Sequence, residues 1–344
     1  MKAQIKPRIN LEGRTALETV IPLPAPFVLF VDPASICNFQ CPFCPTGDRQ
    51  LIKKTGRWQG VLDFGLYKKI IDDLHEFDRP LKVLRLYKDG EPLLNPHLSD
   101  MIKYAKKSGR VASIDTTTNG SLLTKERSLE LIDAGLSRIN ISVDGLSDEQ
   151  FLQFTGTKVN FKQFVENVRF FYKNKNGCEV CIKMPADRLD ENSKKLFFKI
   201  FGDIADRISL ENFAPCWPGF NVEERTGVEI KVGIYNNPIT NVQICPYIFY
   251  SISVNSDGTV SLCFLDWERR LIIGDIRKQC LKDVWRGEEL FKHQWEHLHG
   301  KRKRHPVCAG CGQLSHCLPD NIDPYARDLA KKLLASRKPN TINE

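Results

Sequence analysis

No apolar run in this sequence is long enough to cross a bilayer. The first hydrophobic stretch, residues 20–31, is interrupted by Pro22, Pro24 and Pro26, whereas a spanning helix needs about 20 consecutive apolar residues. The residues before it, 1–8, are polar, so the stretch does not read as a secretory signal either. A membrane or exported protein is therefore not expected, and the chain reads as cytoplasmic. Without a signal, the twelve cysteines argue for metal binding in a reducing compartment and against a disulfide framework. Aromatic residues are missing from the sharpest basic run, Lys301-Arg302-Lys303-Arg304-His305. The formal charge of +8 could serve an anionic partner such as a phosphorylated substrate or nucleic acid. With no stacking platform beside the run, a solvated loop is the expectation and nucleic acid is not an expected partner.

What is present is an ordinary globular composition over 344 residues, a prior for about two domains. Short apolar segments at 27–31, 82–87, 112–117, 138–143, 179–184 and 207–211 read as strands buried on both faces. Between them lie stripes at helical spacing: Leu66, Ile70, Leu74 and Phe77; Leu98, Met101, Ile102 and Ala105; Leu129, Ile132 and Leu136; Phe161, Phe164, Val165, Val168 and Phe171; Leu196, Phe197, Ile200 and Ile204. Six strand–helix units imply a parallel α/β sheet whose site lies at the carboxyl ends of the strands; pattern alone leaves open sheet and barrel both possible. Residues 1–25 form a lead-in of little structure, and 216–241 a connecting stretch rich in Pro and Gly. Alternating residues at 250–254 and 259–264 flank Ser256-Asp257-Gly258 and read as a β-hairpin. A helix over 281–297 follows, and the tail from Pro324 is helical at first, then polar and frayed.

The first strand runs into Cys37-Asn38-Phe39-Gln40-Cys41-Pro42-Phe43-Cys44. Four thiolates saturate a four-iron cluster, so three from one loop leave an iron open to a small molecule. Structural zinc would want a fourth protein ligand nearby, and none lies close. Three further turns follow strands: Tyr87-Lys88-Asp89-Gly90-Glu91-Pro92, Thr116-Thr117-Thr118-Asn119-Gly120 and Ile141-Ser142-Val143-Asp144-Gly145. The octet resembles the CxxxCx(aromatic)C loop of the radical S-adenosylmethionine (radical SAM) enzymes. The three turns resemble that family's Gly-Gly-Glu-Pro, Thr-Asn-Gly and Ser-x-Asp-Gly elements, with Asp89 standing where the family has its first glycine. The resemblance covers about residues 26–215. It implies a partial (β/α)6 TIM-like barrel with Cys37, Cys41 and Cys44 holding a 4Fe-4S cluster. It places Phe43 against the adenine and Gly90 and Glu91 at the methionyl amino group. Thr118, Asn119, Ser142 and Asp144 would be further cofactor contacts.

Cys245, Gly258 and Cys263 give C-x12-G-x4-C, and Cys308-Ala309-Gly310-Cys311 and Cys317 come later. This resembles the SPASM and shortened twitch extensions of radical SAM enzymes, small α+β domains holding auxiliary clusters. Two clusters would need cysteines after Cys317, and the sequence has none. The resemblance implies one auxiliary 4Fe-4S cluster on Cys245, Cys263, Cys308 and Cys311, with Cys317 a spare or alternative ligand. A zinc ribbon from the same four cysteines is the other reading. The expected organisation is a lead-in (1–25), radical SAM core (26–215), linker (216–241), auxiliary-cluster domain (242–323) and tail (324–344). Cys178, Cys181, Cys216 and Cys280 read as ordinary thiols. His293 and His297 lie four apart on the 281–297 helix without an acidic partner motif, and a surface helix is expected there.

If the resemblance holds, reductive cleavage of S-adenosylmethionine gives a 5′-deoxyadenosyl radical that takes hydrogen from a substrate carbon. An auxiliary cluster can then accept an electron, so a net two-electron oxidation is expected, fed by an external donor such as flavodoxin or ferredoxin. The layout is similar to that of radical SAM aminocyclitol dehydrogenases, which favours a small polar substrate. A maturase acting on a ribosomal peptide is the alternative, against which the short lead-in leaves little room for a leader-binding domain. Outside the enzymes, a zinc-stabilised nucleic-acid-binding protein is the competitor. Oxidation also sheds a proton, for which Lys183 and Glu211, near the ends of the fifth and sixth strands, are the candidate bases.

Overall fold

The strand–helix alternation builds the sheet on which everything else sits. In the computed structural model, which describes residues 1–9 and 13–337, the strands are β1 (Gln4–Ile5), β2 (Val28–Val31), β3 (Leu81–Leu86), β4 (Val111–Thr118), β5 (Arg138–Ser142), β6 (Glu179–Pro185), β7 (Arg207–Glu211), β8 (Ser251–Val254), β9 (Thr259–Ser261) and β10 (Ile272–Asp275). They join in the order β1-β7-β6-β5-β4-β3-β2-β8-β9-β10. All pairs from β1 to β8 are parallel, and β8-β9 and β9-β10 are antiparallel. The two edge strands do not meet, so the parallel part is a partial barrel and not a closed one.

Helices Phe64–Asp72, Leu98–Lys107, Lys125–Asp133, Phe161–Asn174 and Glu191–Phe201 cover its outer face. Four of them start on a side chain that accepts a backbone N–H two or three residues into the helix: Asp63 from Leu66, Thr124 from Arg127, Asn160 from Gln163 and Asp190 from Ser193. Each cap is worth about 1 kcal/mol by satisfying an otherwise orphaned donor. Apolar residues at helical spacing, such as Leu98, Met101, Ile102 and Ala105, are fully buried against the sheet.

Several expectations change. The lead-in is ordered where described: Lys2, Gln4 and Lys6 donate backbone N–H groups to Gly202, Asp206 and Ile208, and β1 thereby covers the free edge of β7. The strands are not apolar on both faces. Leu84, Ile114, Ile139, Ile141, Val180, Ile182 and Ile208 face the helices in the main core. The intervening Arg85, Asp115, Asn140, Lys183, Ser209 and Glu211 line the other face, because successive side chains alternate across a strand. The 281–297 helix is two helices, Leu281–Trp285 and Glu288–Leu298, separated by an extended Gly287. Helices Arg49–Thr55 and Asp148–Thr155 were not expected, and Val222–Thr226 lies inside the connecting stretch. The tail is helical over Ala326–Ala335; the frayed end expected after it falls at 338–344, outside the described residues. No helix of the described residues is long and apolar enough to cross a membrane.

The hairpin is present, and β8 pairs along the whole of β2, from Val28↔Ser251 to Val31↔Val254. The C-terminal region is therefore stitched directly onto the barrel sheet.

At the end of β4, Gly120 has φ +71°, and a Cβ there would lie 2.9 Å from Phe164 Cε2 and 3.1 Å from Ile141 Cγ2. Gly120→Ala is expected to cost about 1–3 kcal/mol through backbone strain and crowding. The check is the thermal midpoint of unfolding, which should fall by a few degrees.

Candidate functional site

The loop Cys37–Cys44 leaves the carboxyl end of β2, and the turns after β3, β4 and β5 surround it. Gly90 is required here by contact and not by conformation. A Cβ on it would stand 2.1 Å from Ile36 O and 2.5 Å from Ala34 O, so only glycine lets the β3 turn lie against the backbone just before Cys37. Glu91 N–H then donates to Ile36 O at 2.9 Å. The Glu91 carboxylate, 2% exposed, accepts from Thr118 Oγ1 at 2.6 Å, Asn119 N at 2.7 Å and Leu93 N at 2.9 Å. It thereby locks the β3 and β4 turns together. Burial raises its pKa in spite of these bonds. Asn119 Nδ2 reaches Asn38 Oδ1 at 2.9 Å and Cys37 Sγ at 3.9 Å. Phe39 N–H donates to Cys37 Sγ at 3.4 Å.

The thiols of Cys37, Cys41 and Cys44 are raised by burial, Cys37 to about 12, and each of Cys37 and Cys41 is pushed further by its neighbours' charge. Three buried sulfurs that receive backbone N–H groups yet resist ionisation fit a cationic core, which would stabilise the thiolates. Phe43 packs on Phe213 with ring centroids 5.1 Å apart. Ser142, half-buried, ends β5, and Asp144 is buried beyond it. Burial lifts the Asp144 carboxyl to about 7, against the opposing charge of Lys183.

The second thiol set is also brought together. Cys245 and Cys263 are both raised by burial, Cys245 to about 12, and each feels the charges of Cys308 and Cys311. Leu265 N–H donates to Cys263 Sγ at 3.4 Å. These four fit a second metal–sulfur core by the same chemistry. Cys317 is buried too; burial raises its thiol to about 12, and it feels Cys311 of that set as well as Arg8, Glu211 and Lys183. Cys311 Sγ lies 3.8 Å from Cys216 O, and the Cys216 thiol feels Cys317, Cys311 and Cys44. Cys178 and Cys181 are both buried, Cys178 in the main core and Cys181 lining the polar interior.

Lys183 Nζ lies 2.8 Å from Glu211 Oε2, and Tyr235 Oη donates to Glu211 Oε1 at 2.8 Å. Arg8 Nε stands 3.6 Å from the same oxygen. Burial would raise this carboxyl, but Lys183, Arg8 and the hydrogen bonds outweigh it and hold it down at about 2. Glu211 is thus a weak base at neutral pH, and its ion pair with Lys183 suits the two to orienting a polar group.

Sequence reasoning missed Arg8 and Tyr235, which sit in the lead-in and the connecting stretch and carry no motif. It also missed a buried ionic network beside the cysteine loop. Asp89 Oδ1 pairs with Lys88 at 2.9 Å, and its Oδ2 lies 3.6 Å from Arg57 and 3.4 Å from Arg269. Asp32 accepts from Ser256 Oγ at 2.6 Å and from Asp89 N at 3.2 Å, and Arg269 also pairs with Asp257 at 2.8 Å. Asp89, the departure from the glycine, is the hub of this network, and the charged Lys88-Asp89 pair at a strand end was the available signal. The basic run is only in part the solvated loop expected, with Lys303 and Arg304 exposed. Arg302 is buried and donates to the carbonyls of Gln243 and Cys308, tying down the loop that carries two of the thiols.

Comparison with known proteins places this architecture. The Radical SAM superfamily model matches residues 31–187, and the SPASM model, an iron–sulfur cluster-binding domain, matches residues 245–312. The chain carries a radical SAM domain and a SPASM domain, which imply S-adenosylmethionine and iron–sulfur clusters as its cofactors, the auxiliary cluster in the SPASM domain. It is similar to the tungsten-containing aldehyde ferredoxin oxidoreductase cofactor-modifying protein of Pyrococcus furiosus, 24% identical over 335 residues, which span 84% of this chain and 88% of that one. In fold it is similar to BtrN, solved in complex with AdoMet and 2-DOIA, with a TM-score of 0.56 at 18% identity over 86% of this chain and 97% of that one. It is likewise similar to Streptococcus suis SuiB bound to precursor peptide SuiA, with a TM-score of 0.60 at 14% identity over 88% of this chain and 73% of that one.

Because Glu211 is held at about 2 against an ordinary 4.5, its stabilising contribution is complete above pH 4.5 and is lost as pH falls toward 2. Glu211→Gln is expected to lower stability at neutral pH, with an upper bound of about 3 kcal/mol. The gap from wild type should narrow below pH 4.5, as read from thermal midpoints across an acid pH series.

Proposed function

We propose that this radical SAM enzyme oxidises a small polar molecule of the sugar or aminocyclitol kind, with the SPASM-domain cluster as acceptor of the substrate electron. The observation that carries the reading is the polar inner face of the barrel. The paired Lys183–Glu211, with Tyr235 and Arg8 behind it, lies on the inner face of a barrel whose outer face is apolar. An interior of fixed charges and hydrogen-bonding groups suits a polyol better than an apolar substrate.

In this reading Cys37, Cys41 and Cys44 hold the first cluster, and Cys245, Cys263, Cys308 and Cys311 the second. When bound, the first cluster and S-adenosylmethionine supply a 5′-deoxyadenosyl radical that abstracts hydrogen from the substrate. The chain's own residues do the positioning. Phe43, backed by Phe213, gives an aromatic wall for the adenine, and Gly90 lets the turn meant for the methionyl end lie against the backbone just before Cys37. Glu91 holds the Thr118–Asn119 turn, leaving Ser142 and Asp144 as further cofactor contacts on the adjoining strand. Lys183 donates to a substrate oxygen, Glu211 keeps the ammonium in place, and the proton that the oxidation sheds passes to the buried Asp144 carboxylate, which burial lifts to about 7 and which feels the charge of Lys183. The burial of these groups excludes water from a radical intermediate. An external flavodoxin- or ferredoxin-type protein supplies the electron.

Anaerobic reconstitution is expected to give about eight irons per chain, four for each cluster. Changing Cys37, Cys41 and Cys44 together to Ala should halve the iron and abolish 5′-deoxyadenosine formation; stoichiometric zinc in place of iron would overturn the assignment. Cys245→Ala with Cys263→Ala should also halve the iron, yet 5′-deoxyadenosine should still form with dithionite as reductant. The substrate class is tested by adding panels of aminocyclitols, sugars and peptides to the reduced enzyme. Polyols should stimulate 5′-deoxyadenosine formation, and stimulation by peptides alone would replace this reading with peptide modification.

A further inference from the structure

The sequence places His293 and His297 on a surface helix, but both are buried, with relative exposures of 7% and 0%. The helix Glu288–Leu298 puts His293 and Glu296 three residues apart on one face. The loop that follows wraps back over its end: Lys301 N–H donates to Glu296 O at 2.8 Å, and His305 is carried in beside them. His305 Nε2 lies 2.9 Å from Glu296 Oε2, and the rings of His293 and His305 are 4.5 Å apart between centroids. One potential ligand atom from each of His293, Glu296 and His305 lies within 4.8 Å of the others.

Two further observations point to a bound group. His293 Nδ1 is buried without a hydrogen-bond partner among the described residues, and so are both ring nitrogens of His297 alongside it. A buried imidazole ordinarily uses at least one nitrogen, because leaving polar atoms unpaired costs about 1–3 kcal/mol each. Two imidazole nitrogens and one carboxylate oxygen form a borderline donor set, the type that takes zinc with a water in the fourth position.

We propose that His293, Glu296 and His305 bind a divalent cation of the zinc class, at a site separate from both thiol sets. The cation fastens the end of the helix to the loop that runs on through Arg302 to Cys308 and Cys311. A water on the metal gives the buried His297 the partner it otherwise lacks. The role is structural: it holds two of the four thiols of the SPASM domain in register.

The test uses the iron-loaded full chain, dialysed against Zn2+ and analysed for both metals. Wild type is expected to hold about one zinc with its iron undiminished, and zinc X-ray absorption should show only nitrogen and oxygen neighbours at about 2.0–2.1 Å. His293→Gln with His305→Gln should lose the zinc while keeping wild-type iron. His299→Gln, a change on the exposed end of the same helix, should keep both metals. Glu296→Gln, which preserves shape, serves if the double variant does not fold, and should weaken zinc binding at least tenfold. Zinc should raise the thermal midpoint of wild type and not that of the double variant. No zinc bound by wild type, a sulfur shell at about 2.3 Å, or equal zinc in wild type and the His variants would overturn the proposal.

Discussion

The parallel pairing of β8 on β2 is the constraint from which the rest of the arrangement follows. All four residues of β2 are buried, and the strand is bonded along its length to β3 on one side and β8 on the other. The first cysteine loop leaves the end of β2. The hairpin begun by β8 runs on to Cys263. One buried four-residue strand therefore sets the distance between two thiol sets more than 200 positions apart in the chain. Because a one-residue slip would turn every side chain of β8 to the wrong face, the register is strongly specified.

The ionic network beside that junction reinforces the placement. Asp32 follows β2, Lys88 and Asp89 follow β3, and Ser256, Asp257 and Arg269 belong to the hairpin and the loop beyond it. Burying this many charges carries a desolvation cost, and such networks add little net stability. Removing one member would leave its partners charged and unpaired in the interior, which is far more costly. The network thus favours one relative arrangement of barrel and SPASM domain over others. It also gives a physical reason for an aspartate at position 89: glycine could form the turn, but it could not bind Lys88, Arg57 and Arg269 together.

The interior and the exterior of the barrel are written on the same strands. In Arg138-Ile139-Asn140-Ile141-Ser142 and in Cys181-Ile182-Lys183-Met184 the apolar residues enter the core under the helices. Their neighbours face the lumen. The same economy appears in the basic run, where Arg302 is internal wiring for the thiol loop and the flanking Lys303 and Arg304 stay exposed.

The sequence by itself determined the six strand–helix units of the parallel sheet and the two sets of cysteines. Strand positions followed from short apolar segments, the helices that cover the sheet from apolar stripes at helical spacing, and the two thiol sets from their spacing, all of which depend on residues close together in the chain. It did not show that Glu91 would spend its carboxylate on Thr118 and Asn119, or that Glu211 would be clamped by Lys183, Tyr235 and Arg8 and lose its value as a base. Nor did it show that two histidines on an apparently exposed helix would be buried facing a third. Those outcomes required the tertiary structure, because a side chain's charge and burial are set by partners drawn from other strands and loops. No local pattern carries that information.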